Sequence, residues 1–294
     1  MKPNDNGHFC SARVKYCMQF SAAHPTNCAV YSVDNKNKIT IGTDVLATDR
    51  RVKIHKLFPV ADKPIYLDHD FPSRSGNLIT PCGYMRLTLH DPPRMSSDDN
   101  GRPELVVQRS GPVHIINRGP KTKCNVASHV NDMLPLLQDD MRNGKSIVSI
   151  VADGGCDFHT GHQTNLLYYS RLFRDSHVDL LMITAYAPGQ SALNPIEHVW
   201  GPCTQALTSV TLPDRLTGEE MSPWEQNLTD DELRVKEDSV YDAAMSNLCK
   251  YWGNVRFGGI PVSTSYISSS KEEVPYNDYE HAYNIMSCNS GKKF

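Results

Sequence analysis

Apolar positions along this chain follow two rhythms. Val126, Val130, Met133, Leu134, Leu137 and Met141 recur at helical spacing, which predicts a helix over about 125–142 with Pro135 as a candidate kink. Ser146 to Ala152 is a nearly unbroken apolar run, the pattern of a strand covered on both faces. Leu166, Leu167, Tyr169 and Phe173 predict a second helix over about 163–175, and Val178 to Tyr186 another strand. A stripe at Ile196, Val199, Trp200, Cys203 and Leu207 marks a third helix. The order from 125 to 210 is therefore helix, strand, helix, strand, helix. Upstream, Cys28–Val33 reads as a short strand, as do Pro64–Leu67, Tyr84–Leu89 and Val113–Ile116, with their pairing open. The polar stretch from Asp91 to Pro103 reads as a surface loop or insertion.

Beyond Leu212 the pattern weakens. Pro213 to Asn227 is loop-like, and Asp231 to Trp252 reads as a helix whose opening acids suit a helix N-terminus. From Gly258, Gly, Ser, Pro and Asn dominate, and the tail from Ser268 is expected to be loosely ordered. These shifts divide the chain into an N-terminal extension (1–20), one main domain (21–212) and a helical, loop-rich C-terminal extension (213–294). With 39% hydrophobic residues the chain can bury a real core. No apolar run approaches a membrane span, and the N-terminus does not resemble a signal peptide. Nine scattered cysteines without a Cys-x-x-Cys pair favour free thiols in a reducing compartment. A nuclear or cytoplasmic, non-secreted protein is the expectation. Cys156-x-x-His159-x-x-His162 has no fourth partner at the usual spacing and reads as loop rather than zinc site.

Three acids stand at places where chemistry is often carried. Asp34 follows the Cys28–Val33 strand. Asp153 ends the Ser146–Ala152 strand, and Gly154-Gly155 after it lets the backbone turn sharply. Asp157 competes for the same role but lies beyond the glycine turn. Glu197 opens the third helix after Ser191-Ala192-Leu193-Asn194-Pro195-Ile196 and lies off its apolar stripe. Each has a structural reading. An Asp after a strand is common turn chemistry, and Asn194-Pro195-Ile196-Glu197 could be a cap, a proline at the first helical position and a capping-box acid.

The Ser191-x-x-Asn194-Pro195-x-Glu197 segment, with the strand-end acids Asp34 and Asp153, resembles the catalytic motifs of DDE-type transposases of the mariner kind and related integrases. The resemblance covers roughly residues 20–210. Asn35 stands where relatives often carry a second acid directly after the first. The resemblance implies an α/β fold: a ribonuclease H-like mixed central sheet flanked by helices, with a less regular C-terminal extension. It also implies a metal-dependent DNA endonuclease and strand-transfer centre, with Asp34, Asp153 and Glu197 as catalytic and metal-binding residues. Mg²⁺ (or Mn²⁺) would be the cofactor, held in a pair of ions that stabilise both ends of an in-line displacement.

Charge complicates that reading. The net charge is −3, whereas proteins that grip DNA are usually basic. Two local basic stretches, Arg50, Arg51, Lys53 and Lys56, then Lys121 and Lys123, are candidate DNA contacts. No helix-turn-helix or zinc module for reading transposon ends is evident, so a catalytic domain on its own is expected. DNA is the expected partner, with a possible homo-oligomer, no membrane and no small-molecule cofactor. Two alternatives stay open: a domesticated or truncated transposase-like protein acting as a non-catalytic DNA- or protein-binding module, and another ribonuclease H-like nuclease.

Overall fold

The computed structural model describes residues 6–42, 45–47, 65–67, 77–98 and 100–271. In chain order the main elements are α1 (Gly7–Ala23), β1 (Cys28–Asn35), β2 (Leu78–Arg86), β3 (Val113–Arg118), α2 (Val126–Arg142), β4 (Ile147–Ala152), α3 (Gln163–Ser176), β5 (Leu180–Ala185), α4 (Glu197–Ala206), α5 (Asp230–Gly253) and β6 (Ser263–Ile267). The predicted helix-strand-helix-strand-helix run is present as α2-β4-α3-β5-α4. Pro135 lies inside α2.

The central sheet runs β5-β4-β1-β2-β3-β6, and the short strand Ile39–Thr40 also pairs with β2. β1, β4 and β5 are parallel, β2 is antiparallel to both its neighbours, and β3 is parallel to β6. This is a mixed sheet with helices on both faces, the ribonuclease H-like arrangement. The pairing left open by sequence is settled for the upstream strands. β2 and β3 join the main sheet, whereas Ile65–Leu67 pairs with Val45–Ala47 in a separate two-stranded ribbon.

Side chains alternate across a strand, so each strand serves two cores. On one face Val30, Met85, Ile115 and Val151 meet α1, α4 and α5 through Met18, Trp200, Met245 and Trp252. On the other, Tyr31, Val33, Tyr84, Val148 and Ile150 meet α2 and α3 through Val130, Met133, Leu137 and Leu172. The predicted stripe of α4 is buried in full: Ile196, Val199, Trp200, Cys203 and Leu207 are all at most 6% exposed.

Two segments read as extensions contribute to this core. α1 packs through Val14, Cys17, Met18 and Ala22, and the Ser21 and Ser149 hydroxyls meet at 2.8 Å. Its apolar residues make no clean stripe, since Phe9 and Tyr16 are 71% and 73% exposed, so periodicity does not announce it. At the other end, α5 buries Met245, Leu248 and Trp252 completely, and β6 adds an edge strand beside β3. Burying each such side chain is worth about 1.5–3 kcal/mol, enough to tie α5 to the sheet. Thr229 caps α5, with Glu232 bonding back to the Thr229 backbone. Within 91–103 and just beyond, Met95–Ser97 and Pro103–Leu105 form an exposed hairpin. Gln19 of α1 brackets the Leu105 backbone with two hydrogen bonds, at 2.8 and 2.7 Å.

Candidate active site

β1 and β4 pair in parallel from Cys28 opposite Ile147 to Ser32 opposite Val151. Two residues beyond that last pair, on each strand, come Asp34 and Asp153. They therefore stand at the same level on neighbouring strands and, by strand alternation, on the face that carries α1, α4 and α5. Gly154 permits the turn after Asp153. Its φ is +84°, and a Cβ there would lie 2.7 Å from the Tyr186 carbonyl oxygen. The Asp153 carboxylate accepts the Gly155 N–H at 2.8 Å.

Glu197 is brought to this pair by a buried hydrogen-bond lock between β1 and the start of α4. The Ser32 hydroxyl donates to Asn194 Oδ1 at 2.6 Å and accepts from the Ile196 N–H at 2.9 Å. Asn194 Nδ2 donates to the Val33 carbonyl at 2.9 Å. The alternative reading of Asn194 as the helix cap does not hold. Ile196 occupies the cap position, no side chain makes a cap bond, and the buried Asn194 amide is spent on β1. Ser32, unremarked in the sequence, is the residue that positions the motif.

One helical turn beyond Glu197, Trp200 Nε1 donates to Asp34 Oδ2 at 3.3 Å. Gly83, opposite Asp34 in the β1–β2 pairing, makes room for that indole. A Cβ at Gly83 would lie 2.5 Å from Trp200 and 2.8 Å from Ile196.

Charge is crowded at this point. Burial, then the carboxylates of Glu197 and Asp153, push the Asp34 carboxyl up to about 8. Burial and Asp153 also raise Glu197, against a hydrogen bond that it shares with Asp34. Lys36 and His198 pull Glu197 back down only in part. A set of hard oxygen donors with surplus negative charge suits a hard divalent ion. The three carboxylates are not all within 4.8 Å of one another, so a single ion would not take all three as they stand.

Asp157, the competitor of Asp153, belongs to the other face. Its carboxylate accepts from Asn35 Nδ2 at 3.4 Å and lies 3.9 Å from His129 Nε2. Of the candidate DNA contacts, Arg50, Arg51, Lys53 and Lys56 lie outside the described residues. Lys121 is held by Glu237 and Asp238 of α5, at 3.1 and 2.8 Å. Lys123 lines a cleft of about 770 Å³ together with Lys36, Lys38, Asn35 and Asp157. The loop trio does not gather either. Cys156 is exposed, and the His159 and His162 rings stack with centroids 4.2 Å apart. Among the described residues, the side chains that do cluster as metal ligands are Cys82, Cys124 and His129, which sequence reasoning missed. Only the five-residue step from Cys124 to His129 could have hinted at them.

No family model matches the chain, and no curated protein does. Among solved structures, it is similar to a Mos1 transposase paired-end complex with the left transposon end, at 12% identity and a TM-score of 0.39, over 86% of this chain and 62% of that one. The Mos1 mariner paired-end complex with Mn matches at 12% identity and a TM-score of 0.36, over the same shares. The Mos1 strand transfer complex matches at 11% identity and a TM-score of 0.33, over 83% of this chain and 63% of that one. The chain thus spans less than two thirds of the length of these structures.

Proposed function

We propose that Asp34, Asp153 and Glu197 form the catalytic centre of a metal-dependent DNA strand-cutting and strand-transfer enzyme. The observation that carries this reading is the mutual approach of three acids from β1, β4 and α4, which, added to the larger effect of burial, pushes the Asp34 carboxyl up to about 8. A fold does not draw carboxylates together and half-bury them without a use for the charge, because the arrangement costs stability. Two ions roughly 3.5–4 Å apart could share three carboxylates that a single ion could not take together. When bound, Mg²⁺ or Mn²⁺ would supply positive charge at the attacking and leaving oxygens of the phosphodiester. The protein's part is to hold that pair through Asp34, Asp153 and Glu197. The Ser32–Asn194 lock keeps Glu197 in register with Asp34, and the Trp200 indole fixes the Asp34 rotamer. DNA is the proposed partner, and Lys36, Lys38 and Lys123 would meet its phosphates. Such contacts give weak, salt-sensitive binding without sequence preference.

The test is nicking of supercoiled plasmid by the full chain in Mg²⁺ or Mn²⁺. Glu197→Gln keeps the shape at the helix start and removes the charge. The expected result is loss of nicking with a metal-free melting temperature no lower than that of the wild type. Nicking that survives Glu197→Gln would leave this glutamate as a helix-end residue and end its catalytic assignment.

A further inference from the structure

On the opposite face of the sheet, the end of β1 borders a second cluster of very different chemistry. Cys82 of β2 and Cys124, in the loop before α2, bring their sulfurs to 3.1 Å, too far to be bonded to each other. Cys124 Sγ lies 3.5 Å from His129 Nε2 of α2. The three ligand atoms all fall within 4.8 Å of one another. Asp157 Oδ2 stands 3.9 Å from the same histidine nitrogen.

We propose that Cys82, Cys124 and His129 form a site for a thiolate-preferring divalent ion, with zinc as the type, the fourth position facing the cleft that Asp157 lines. This goes beyond the strand-cutting assignment and does not rest on it. The dimensions fit. Zn–S of about 2.3 Å and Zn–N of about 2.0–2.1 Å imply tetrahedral edges of roughly 3.8 Å between two sulfurs and 3.6 Å between sulfur and nitrogen. The observed edges lie within about an ångström of these.

The surroundings also prepare the histidine. The Tyr84 hydroxyl donates its one hydrogen to Asp132 Oδ2 at 2.6 Å. His129 Nδ1, 2.7 Å from the same hydroxyl, must therefore be the donor to it. That leaves the lone pair on Nε2, the nitrogen that faces Cys124. A carboxylate acting through a hydroxyl on the far nitrogen is the outer-shell arrangement that orients metal-bound histidines. Arg118, fully buried and paired to Asp132 at 2.7 and 2.8 Å, also donates to Cys82 Sγ at 3.4 Å. The guanidinium and the Asp132 carboxylate cancel, so two thiolates are left to balance the ion. Cys124 and Asp157 open onto the 770 Å³ cleft, which provides the route of entry. The ion would join β2, the loop before α2 and α2 itself, and so brace the floor beneath the carboxylates.

The experiment is metal analysis of the full chain purified without chelator, followed by exchange of the bound metal for Co²⁺. One zinc per chain that survives dialysis is expected, with intense thiolate-to-cobalt charge transfer and tetrahedral d–d bands after exchange. Cys124→Ser should abolish the charge-transfer band, and Cys156→Ser, at an exposed neighbouring cysteine, should keep it. Tyr84→Phe should weaken affinity about 10-fold or more, the scale of outer-shell losses. If Cys124→Ser fails to fold, wild-type protein still decides the matter through the cobalt spectrum and a melting temperature lowered by a strong chelator. Metal-free protein with no cobalt charge transfer would overturn the proposal. So would a Cys82–Cys124 disulfide located by peptide mapping under non-reducing conditions.

Discussion

Asp34 and Asn35 are neighbours in β1, yet they belong to two unlike places. Asp34 faces Trp200 and Glu197, among hard oxygen donors that repel one another. Asn35 faces Cys124, His129 and Asp157, among softer donors already hydrogen-bonded into a network. The pleat of a strand is the whole cause, since consecutive side chains leave on opposite faces. Crowded like charges at the first place are suited to a changing occupant, and a satisfied network at the second is suited to a permanent one.

The sharpest break between the two faces comes from removing charge on one of them. Asp34→Asn, Asp153→Asn or Glu197→Gln should each lower plasmid nicking by on the order of 10³-fold or more, because such sites act as a unit. Zinc content should stay the same in all three. Loss of bound zinc in Asp153→Asn would mean the two faces are one site.

Ser32→Ala probes how α4 is aimed. It strips partners from the buried Asn194 Oδ1 and Ile196 N–H, at a cost of about 1–3 kcal/mol in denaturant melts. Displacing Glu197 by about an ångström should lower nicking about 10²-fold. A variant that melts lower yet nicks at the wild-type rate would show that the lock serves stability alone.

Gly83→Ala should cost about 1–3 kcal/mol by overpacking, since the new Cβ meets Trp200 and Ile196. The same melt measured with Gly201→Ala, a helical glycine without positive φ and with nothing within 4 Å, gives the uncrowded reference. Equal losses would remove the claim that Gly83 makes room for the indole.

The smallest effect is on pH dependence. Asp34 ionises near the ordinary aspartate value of 3.8 when unfolded and at about 8 when folded. The folded metal-free state therefore binds the proton more tightly, so the contribution of Asp34 to stability is fully present below about pH 4 and is lost as pH rises through 8. The melting temperature should fall by several degrees across that window, recover on adding Mg²⁺ or Mn²⁺, and change less in Asp34→Asn. An identical slope in the variant would assign the dependence to other groups.

Much of one face was legible in the sequence, and little of the other. Unbroken apolar runs ending in an acid marked β1 and β4. The spacing of Ile196, Val199, Trp200 and Cys203 marked α4, and the segment before it marked Glu197. These are local signals, carried by residues within one or two turns or strands. Which strand pairs with which, and hence that Asp34 and Asp153 stand level, is decided by register between segments more than a hundred residues apart. The same holds for the Ser32–Asn194 lock, where a plausible helix cap became a strand-to-loop tie because burial left the amide only β1 to bond. Cys82, Cys124 and His129 come from the middle of a strand, a loop and a helix, so no periodicity joins them. α1 and β6 escaped notice for a related reason: one has a blurred stripe and the other is an exposed edge. Local chemistry is written residue by residue, but the meeting of distant side chains exists only once the sheet has chosen its order.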